Sequence, residues 1–154
     1  MEEYSTKDIK NFISCVVDDS YTFAKQLSNE FMPNLNNEIL SKIISCIINV
    51  LHKTVLIKED IFYFLSNCFI NINVFHILLN GNKRLAIAIL IKLLYNFGYY
   101  FKFTNDEWKE AREWENKSIY IIKQCSNNNN NLEQIIMNMR KWIIDNILIA
   151  IHFV

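Results

Sequence analysis

Apolar residues recur along the first third of this chain at the spacing of one face of an α-helix. The first set follows Ser5 and Thr6, either of which can cap a helix, and comprises Ile9, Phe12, Ile13, Val16 and Val17. After the break at Pro33 the same spacing returns in Ile39, Ile43, Ile44, Ile47, Ile48 and Leu51. This part of the chain is therefore predicted to form two amphipathic helices.

The middle of the chain carries two more helical stretches. The run 61–75 is rich in Ile, Phe and Val, follows the acidic pair Glu59-Asp60 and ends at His76. The stretch 84–97 is apolar on every side except at Lys92 and Asn96, which is typical of a helix at the centre of a core. Gly98 stands where a glycine closes a helix in the left-handed conformation.

The last third is predicted to hold a charged helix through 107–110, capped by Thr104 or Asn105, and a final helix after the asparagine run 127–131. That run is low in complexity and is expected to be a solvated loop. The final helix has an apolar stripe of Leu132, Ile135, Ile136, Met139, Trp142 and Ile143. Trp108 and Trp114 are interpreted as packing residues.

The fold class that follows is all-α, with one domain over residues 1–154. The chain has only two glycines and one proline, which is too few turn-forming residues for the many turns of an all-β protein. The β-branched segment 53–58 is the exception, because its length and composition favour a small extended flap. The apolar stretches 85–94 and 142–154 are short or interrupted by polar residues, so we expect buried helices there and no membrane span.

Composition narrows the function classes. The 16 basic and 16 acidic residues balance, which gives no clustered charge for general binding to nucleic acid or to a membrane surface. The four cysteines lie far apart without a C-x-x-C pair, which favours reduced thiols over a zinc site or a disulfide framework. The acidic, polar start lacks the pattern of a signal peptide, so we expect a cytoplasmic protein.

The segment 76–84 carries the most informative chemistry. Gly81 lies directly before an apolar helix, and a glycine-bearing turn at a helix start directs backbone N–H groups and the positive end of the helix dipole at one point. Lys83 and Arg84 place two more positive charges there, although cations at a helix N-terminus oppose the dipole. A compensating anion explains that arrangement better than solvated surface charge does. The segment therefore predicts a phosphate site.

Two amides and a histidine complete the segment. Asn80 and Asn82 add polar groups, and the imidazole of His76 is a candidate proton acceptor. A lone histidine at a helix end is more often structural, but the fixed spacing to the following polar residues favours a functional role for His76. His52 and His152 have no such neighbours, and we expect them to be structural or exposed.

This segment resembles the signature of the Fic/Doc family, His-Pro-Phe-x-Asp/Asn-Gly-Asn-Lys/Gly-Arg. Six of its eight specified positions match, namely His76, Asn80, Gly81, Asn82, Lys83 and Arg84. Ile77 and Leu78 replace the proline and the phenylalanine. Lys83, together with Ile87 in place of a second arginine, resembles the Doc branch, the toxins of toxin–antitoxin pairs. The resemblance is specific over about residues 60–102, and it implies a Fic/Doc-like helical domain whose anion-binding loop precedes a central buried helix.

The resemblance also implies an activity. It suggests a toxin that transfers a phosphoryl or nucleotidyl group from ATP, with Mg²⁺, to a Ser, Thr or Tyr hydroxyl of a protein target such as elongation factor Tu. His76 would be the general base, and Asn80 would stand at the Mg²⁺-associated position. The chain contains no inhibitory helix motif of this family, so a separate antitoxin is the expected partner.

The remaining roles fall on the loop and the start of the helix. Gly81 and Asn82 would shape the anion loop, and Lys83 and Arg84 would hold the nucleotide phosphates, with Asn80 beside them. The departures from the commonest pattern leave an alternative in another class. The chain would then be a degenerate Fic-like module that binds a nucleotide or a protein partner without turnover.

Overall fold

The computed structural model of the chain describes residues 5–103, 105–110, 112–127 and 131–149. Over these residues it is mostly helical, so the predicted all-α class is confirmed at that level. The elements in chain order are α1 (Thr6–Gln26), α2 (Asn37–Leu56), α3 (Ile61–Val74), α4 (Asn82–Asn96), β1 (Tyr99–Phe101), α5 (Asn105–Glu110), α6 (Glu113–Ser126), α7 (Leu132–Asp145) and β2 (Ile147–Ile149).

Side-chain caps fix the starts of α1 and α3. Ser5 and Asp8 form a reciprocal capping box at α1, which confirms Ser5 as its cap. At α3 the Asp60 carboxylate accepts a hydrogen bond from the Tyr63 backbone N–H at 2.9 Å. Asp60 also pairs with Arg140 of α7, and this hydrogen bond holds the pKa of the Asp60 carboxyl below its usual value. The cap therefore also ties α7 to the start of α3.

The predicted flap at 53–58 is wrong. Residues 53–56 form the last turn of α2, where the Thr54 hydroxyl donates to the Val50 carbonyl at 2.7 Å. The buried stripe of α2 continues through Thr54, so packing against the neighbouring helices overrides the extended preference of a β-branched sequence. The chain turns only at Lys58, whose φ is +60°.

Among the described helices, α2 is long and apolar enough to cross a bilayer by length and composition alone. Apolar core helices of soluble proteins satisfy the same criterion. In its most apolar 18-residue window, 28% of the residues are buried, on the side that faces α1 and α3.

The centre of the fold is the pair α3 and α4. Every residue from Tyr63 to Ile70 is buried, and so is every residue from Arg84 to Leu90. The two helices pack on each other, while α1 covers α4, and α2, α6 and α7 cover α3. This confirms 84–97 as a central buried helix, which begins two residues earlier than expected. Because α3 and α4 each pack against several neighbouring helices, the ends of the segment 75–81 that connects them have fixed positions.

The charged helix predicted after Asn105 is broken into α5 and α6. The break is at Arg112, whose φ of +49° is left-handed, and α6 starts directly after it. Asn105 is the first residue of α5, and Thr104 lies outside the described residues. The prediction that Trp108 and Trp114 pack is confirmed, since both are buried.

The last apolar stretch is only partly helical. Asn131 caps α7 at the end of the asparagine run, of which residues 128–130 lie outside the described part. The helix stops at Asp145, and Ile147–Ile149 then pair antiparallel with Tyr99–Phe101. The expected buried helix over 142–154 is therefore wrong for 147–149, and residues 150–154 lie outside the described part. The backbone of β1 supplies the hydrogen-bond partners of residues 147–149. These partners are distant in sequence, so the local sequence pattern does not reveal them.

The two glycines occupy left-handed positions at opposite ends of α4. Gly81 precedes the helix with φ +101°, and Gly98 follows it with φ +89°, which confirms the expected glycine closure. They differ in their surroundings. A Cβ built on Gly81 would lie 2.6 Å from Cγ of Met32, whereas a Cβ on Gly98 meets nothing within 4 Å.

This difference gives a matched pair of variants. Gly98→Ala should lower the free energy of unfolding by about 1–2 kcal/mol, the cost of a left-handed backbone alone. Gly81→Ala should cost about 2–4 kcal/mol, because the contact with Met32 is added to the same backbone strain. Urea unfolding measures both. Equal losses would mean that the Met32 side chain moves aside without cost.

Candidate functional site

The connection between α3 and α4 is built from unusual backbone conformations. His76 follows α3 with φ +48°, and Gly81 precedes α4 with φ +101°. A non-glycine residue in the left-handed region is uncommon, and such residues concentrate at functional sites. In the described part of the chain there are three, Lys58, His76 and Arg112, and the last two line one cavity.

The loop within this connection is braced by Asn82. Its Oδ1 accepts a hydrogen bond from the Leu78 backbone N–H at 2.9 Å, and its Nδ2 donates to the Leu78 carbonyl at 2.7 Å. Leu78, which stands at the position of the family's phenylalanine, is buried in the core. The amide and the apolar anchor therefore hold both ends of the turn that carries Asn80 and Gly81.

The segment between α1 and α2 is bonded to the same turn. The Arg84 guanidinium donates to the carbonyls of Glu30 at 2.8 Å and Phe31 at 2.9 Å. The Asn80 amide donates to the Phe31 carbonyl at 2.9 Å as well. Arg84 is 3% exposed, so these are bonds of a buried charge to neutral acceptors. They place Glu30 at the start of α4, although 54 residues of sequence separate Glu30 from Arg84.

The elements enclose a cavity of about 380 Å³ beside the start of α4. The structure brings together there all the residues that the sequence singled out, namely His76, Asn80, Gly81, Asn82, Lys83 and Arg84. His52 lies elsewhere, exposed on α2, and His152 is outside the described residues. The contiguous motif thus forms one wall of a single cavity.

The rest of the lining comes from residues outside the motif. They include Glu30 before α2, Asn73 near the end of α3, and Arg112, Trp114 and Glu115 at the start of α6. Asn73 alone carried a local signal, because it is a polar residue in an apolar helix, three positions before His76. The others share no pattern with the motif. The packing of α6 against α3 and α4 brings Arg112, Trp114 and Glu115 to the cavity, and the hydrogen bonds of Arg84 bring Glu30 there.

The charges of the lining are mixed. Lys83, Arg84 and Arg112 contribute positive charge, and Glu30 and Glu115 contribute negative charge, so the wall carries one net positive charge when His76 is neutral. Burial lowers the pKa of the Arg84 guanidinium, and the charge of Arg112 acts in the same direction, while Glu30 opposes it. Two cations that repel each other at one cavity favour an anionic ligand.

Two features add hydrogen-bonding capacity. Gly81 provides no side-chain cap for α4, so the first backbone N–H groups of that helix have no side chain bonded to them. Asn73 is fully buried, and its Oδ1 has no hydrogen-bond partner among the described residues. An acceptor without a partner in a cavity wall is available to an N–H or O–H group of a bound molecule. The cavity lining thus contains both hydrogen-bond donors and an acceptor for a bound molecule.

No group of three or more His, Cys, Asp and Glu side chains forms a metal cluster in the described part of the chain. Mg²⁺ does not require one, because it commonly takes one or two protein oxygens together with phosphate oxygens and water. The oxygens that fit this role are Oδ1 of Asn80, whose amide nitrogen is already bonded, and the carboxylates of Glu30 and Glu115.

The hydrogen bonds of Arg84 predict that Arg84 contributes more to stability than its neighbour Lys83 does. Arg84→Gln should lower the free energy of unfolding by about 2–4 kcal/mol, because it removes two charge-assisted hydrogen bonds and leaves the Glu30 carbonyl without its partner, while the Phe31 carbonyl keeps its bond from Asn80. Lys83→Gln is the matched control and should cost less than about 0.5 kcal/mol. Urea unfolding of both variants tests this. Equal stability would contradict the anchoring role of Arg84 and make it a free phosphate ligand.

No protein-family model, no curated protein and no solved structure matches this chain. The resemblance to the Fic/Doc signature therefore rests on the six matching residues and on their placement around one cavity.

Proposed function

We propose that this chain transfers a phosphoryl or nucleotidyl group from ATP to a hydroxyl side chain of a protein. The observation that carries the proposal is the cavity at the start of α4, which is lined by all six motif residues. A candidate base, an uncapped helix N-terminus and positive side chains are what group transfer from a nucleotide needs, since this catalysis consists mainly of positioning and charge stabilisation.

In the phosphoryl reaction, the oxygen of the target hydroxyl forms a bond to the γ-phosphorus as the bond to the bridging oxygen breaks. ADP leaves with that electron pair, and His76 takes the hydroxyl proton. His76 is exposed at the cavity, so a hydroxyl carried by another protein can reach it. The α4 N-terminus and Lys83 orient the phosphates and stabilise their charge.

Mg²⁺ bound with the nucleotide would neutralise part of the charge that develops on the phosphates. Asn80, Glu30 and Glu115 are the residues that would hold it, directly or through water. This use of the two carboxylates also explains why an anion site contains acidic side chains.

A protein target is supported by the rim of the cavity. Phe31, Phe75 and Leu79 are largely exposed, and each is covalently adjacent to, or hydrogen-bonded with, a residue that lines the cavity. Exposed apolar side chains around a polar site suit contact with a protein surface. By the resemblance, the protein would be a cytoplasmic Doc-like toxin, its target a protein such as elongation factor Tu, and its inhibitor a separate antitoxin.

One observation favours the alternative of a binding module without turnover. Arg84, one of the two motif cations, is already bonded to two backbone carbonyls and is almost fully buried. A site with one committed cation stabilises a transition state less well than a site with two free ones. Such a module would bind ATP but leave no group on any protein.

The role of His76 is tested with a matched pair of histidine variants. His76→Ala should reduce transfer at least about 100-fold while ATP affinity changes by less than about twofold, because the variant removes proton abstraction and no phosphate contact. His52→Ala, an exposed histidine on α2, should leave both unchanged. Transfer is measured with labelled ATP and a cell lysate, and affinity by calorimetry. Full activity of His76→Ala would exclude it as the base.

The transferred group is a separate prediction. Lys83 lines the cavity, and position 87, where the signature of the nucleotidyl-transferring branch has a second arginine, is a fully buried isoleucine. We expect the triphosphate to bind with its terminal phosphate toward His76, which gives phosphoryl transfer. Label from the γ-position of ATP and an added phosphate in mass spectra of the target would agree. Label from the α-position with an added AMP would show nucleotidyl transfer instead.

A further inference from the structure

Arg112 stands at a second helix start that faces the same cavity as α4. It is the N-cap residue of α6, with φ +49°, and it provides no side-chain cap for that helix. The N-cap side chains of α1, α2, α3 and α7 do accept such bonds. Among the helices whose N-caps are described, only α4 and α6 lack a side-chain cap. Residues in the first turn of both helices line this cavity.

The side chain of Arg112 is held in place by two neighbours, but its guanidinium N–H groups are not all used in hydrogen bonds. Its guanidinium lies 5.4 Å from the ring of Trp114, and its Nε lies 2.9 Å from Oε2 of Glu115 without the geometry of a hydrogen bond. Among the described residues the guanidinium has no hydrogen-bond partner. This contrasts with Arg84, whose guanidinium bonds to two carbonyls. Arg112 is therefore the arginine of this cavity with donors to offer.

The two helix starts belong to different elements that border the same cavity, so a ligand with more than one phosphate group can engage both. The start of α4 offers its N–H groups and the Lys83 ammonium, and the start of α6 offers the Arg112 guanidinium. An arginine fork is well suited to a terminal phosphate, because it donates two parallel hydrogen bonds.

We propose that Arg112 is a phosphate-binding residue and that the ligand of this cavity is a polyphosphate, held at one group by the start of α4 and at another by Arg112. The proposal rests on the proposed function for the presence of a nucleotide. It adds a residue outside the motif and a specific requirement for more than one phosphate group.

The test compares ATP with AMP as calorimetric probes, in the presence of Mg²⁺. Arg112→Gln should weaken ATP binding about 10- to 100-fold, the range for hydrogen bonds to a charged group. It should change AMP binding less than about twofold, because on this proposal the single phosphate of AMP is held by the start of α4. Arg112→Lys keeps the charge and the aliphatic stem but loses the fork, so it should fall between the wild type and Arg112→Gln.

Arg140→Gln is the matched control. Arg140 of α7 also pairs with a carboxylate, that of Asp60 at the start of α3. His76 follows the other end of α3, about 20 Å away along the helix. Arg140→Gln should leave both affinities unchanged. Thermal unfolding of each variant shows whether the loss of the Trp114 contact has affected the fold.

Glu115→Gln separates a direct role of Arg112 from a structural one. This variant is measured without Mg²⁺, so that Glu115 has no metal ion to bind. Removal of the carboxylate then takes a negative charge from the cavity and frees Arg112, so metal-free ATP should bind several-fold more tightly. In the double variant with Arg112→Gln, most of that gain should disappear, because the two residues act on the ligand as a pair.

The outcomes distinguish this proposal from the proposed function. If the wild type binds neither ATP nor AMP, both proposals are wrong. If it binds ATP and Arg112→Gln binds it equally well, Arg112 is outside the site while the proposed function stands. Equal losses for ATP and AMP, or an undiminished gain in the double variant, would overturn the role of Arg112 as the ligand of a second phosphate.

Discussion

The candidate site depends on one buried charge, the guanidinium of Arg84. A buried cation is costly unless hydrogen bonds compensate it, and here the carbonyls of Glu30 and Phe31 do so. The consequence is geometric. The segment that precedes α2 is bonded to the first turn of α4, and the cavity exists because that segment, the α3–α4 connection and the start of α6 meet there. Together with the Asn80 hydrogen bond to Phe31 and the packing of Met32 beside Gly81, that anchor fixes Glu30 and the rim residue Phe31 relative to the start of α4.

Conformational strain is concentrated at the same place. His76, Gly81 and Arg112 all have positive φ, and all three line the cavity. For Gly81 the reason is plain, since Met32 packs where a side chain would be and the turn must enter α4 sharply. His76 and Arg112 flank α3 and α6, and the packing of α3, α4 and α6 maintains their conformation.

The mixed charges of the wall also have a physical logic. Three cations with no acidic neighbour would bind any anion, including inorganic phosphate. Glu30 and Glu115 reduce the net charge, so a bare anion gains less, whereas a ligand that brings its own divalent cation uses both signs of charge. This balance of charge is what the proposed metal-bound polyphosphate ligand would require.

Much of the fold was predictable because its information is local. The periodic stripes of α1, α2 and α7, the cap at Ser5, the closure at Gly98 and the all-round apolar character of α4 each depend on neighbours within a turn or two. Errors arose where tertiary contacts decide. Segment 53–58 continues a helix because α2 has neighbours to pack on, and Ile147–Ile149 form a strand because Tyr99–Phe101 lie beside them.

The candidate site divides in the same way. By itself the sequence determined the wall formed by residues 76–84, because these residues are contiguous and a glycine before an apolar helix has only a few local conformations. Only the tertiary structure decided that Glu30, Asn73, Arg112 and Glu115 complete the lining of the cavity. Hydrophobic periodicity specifies which face of a helix is buried, but not which helix covers it. Side chains far apart in sequence are therefore brought together by the packing of whole helices, which no local pattern encodes.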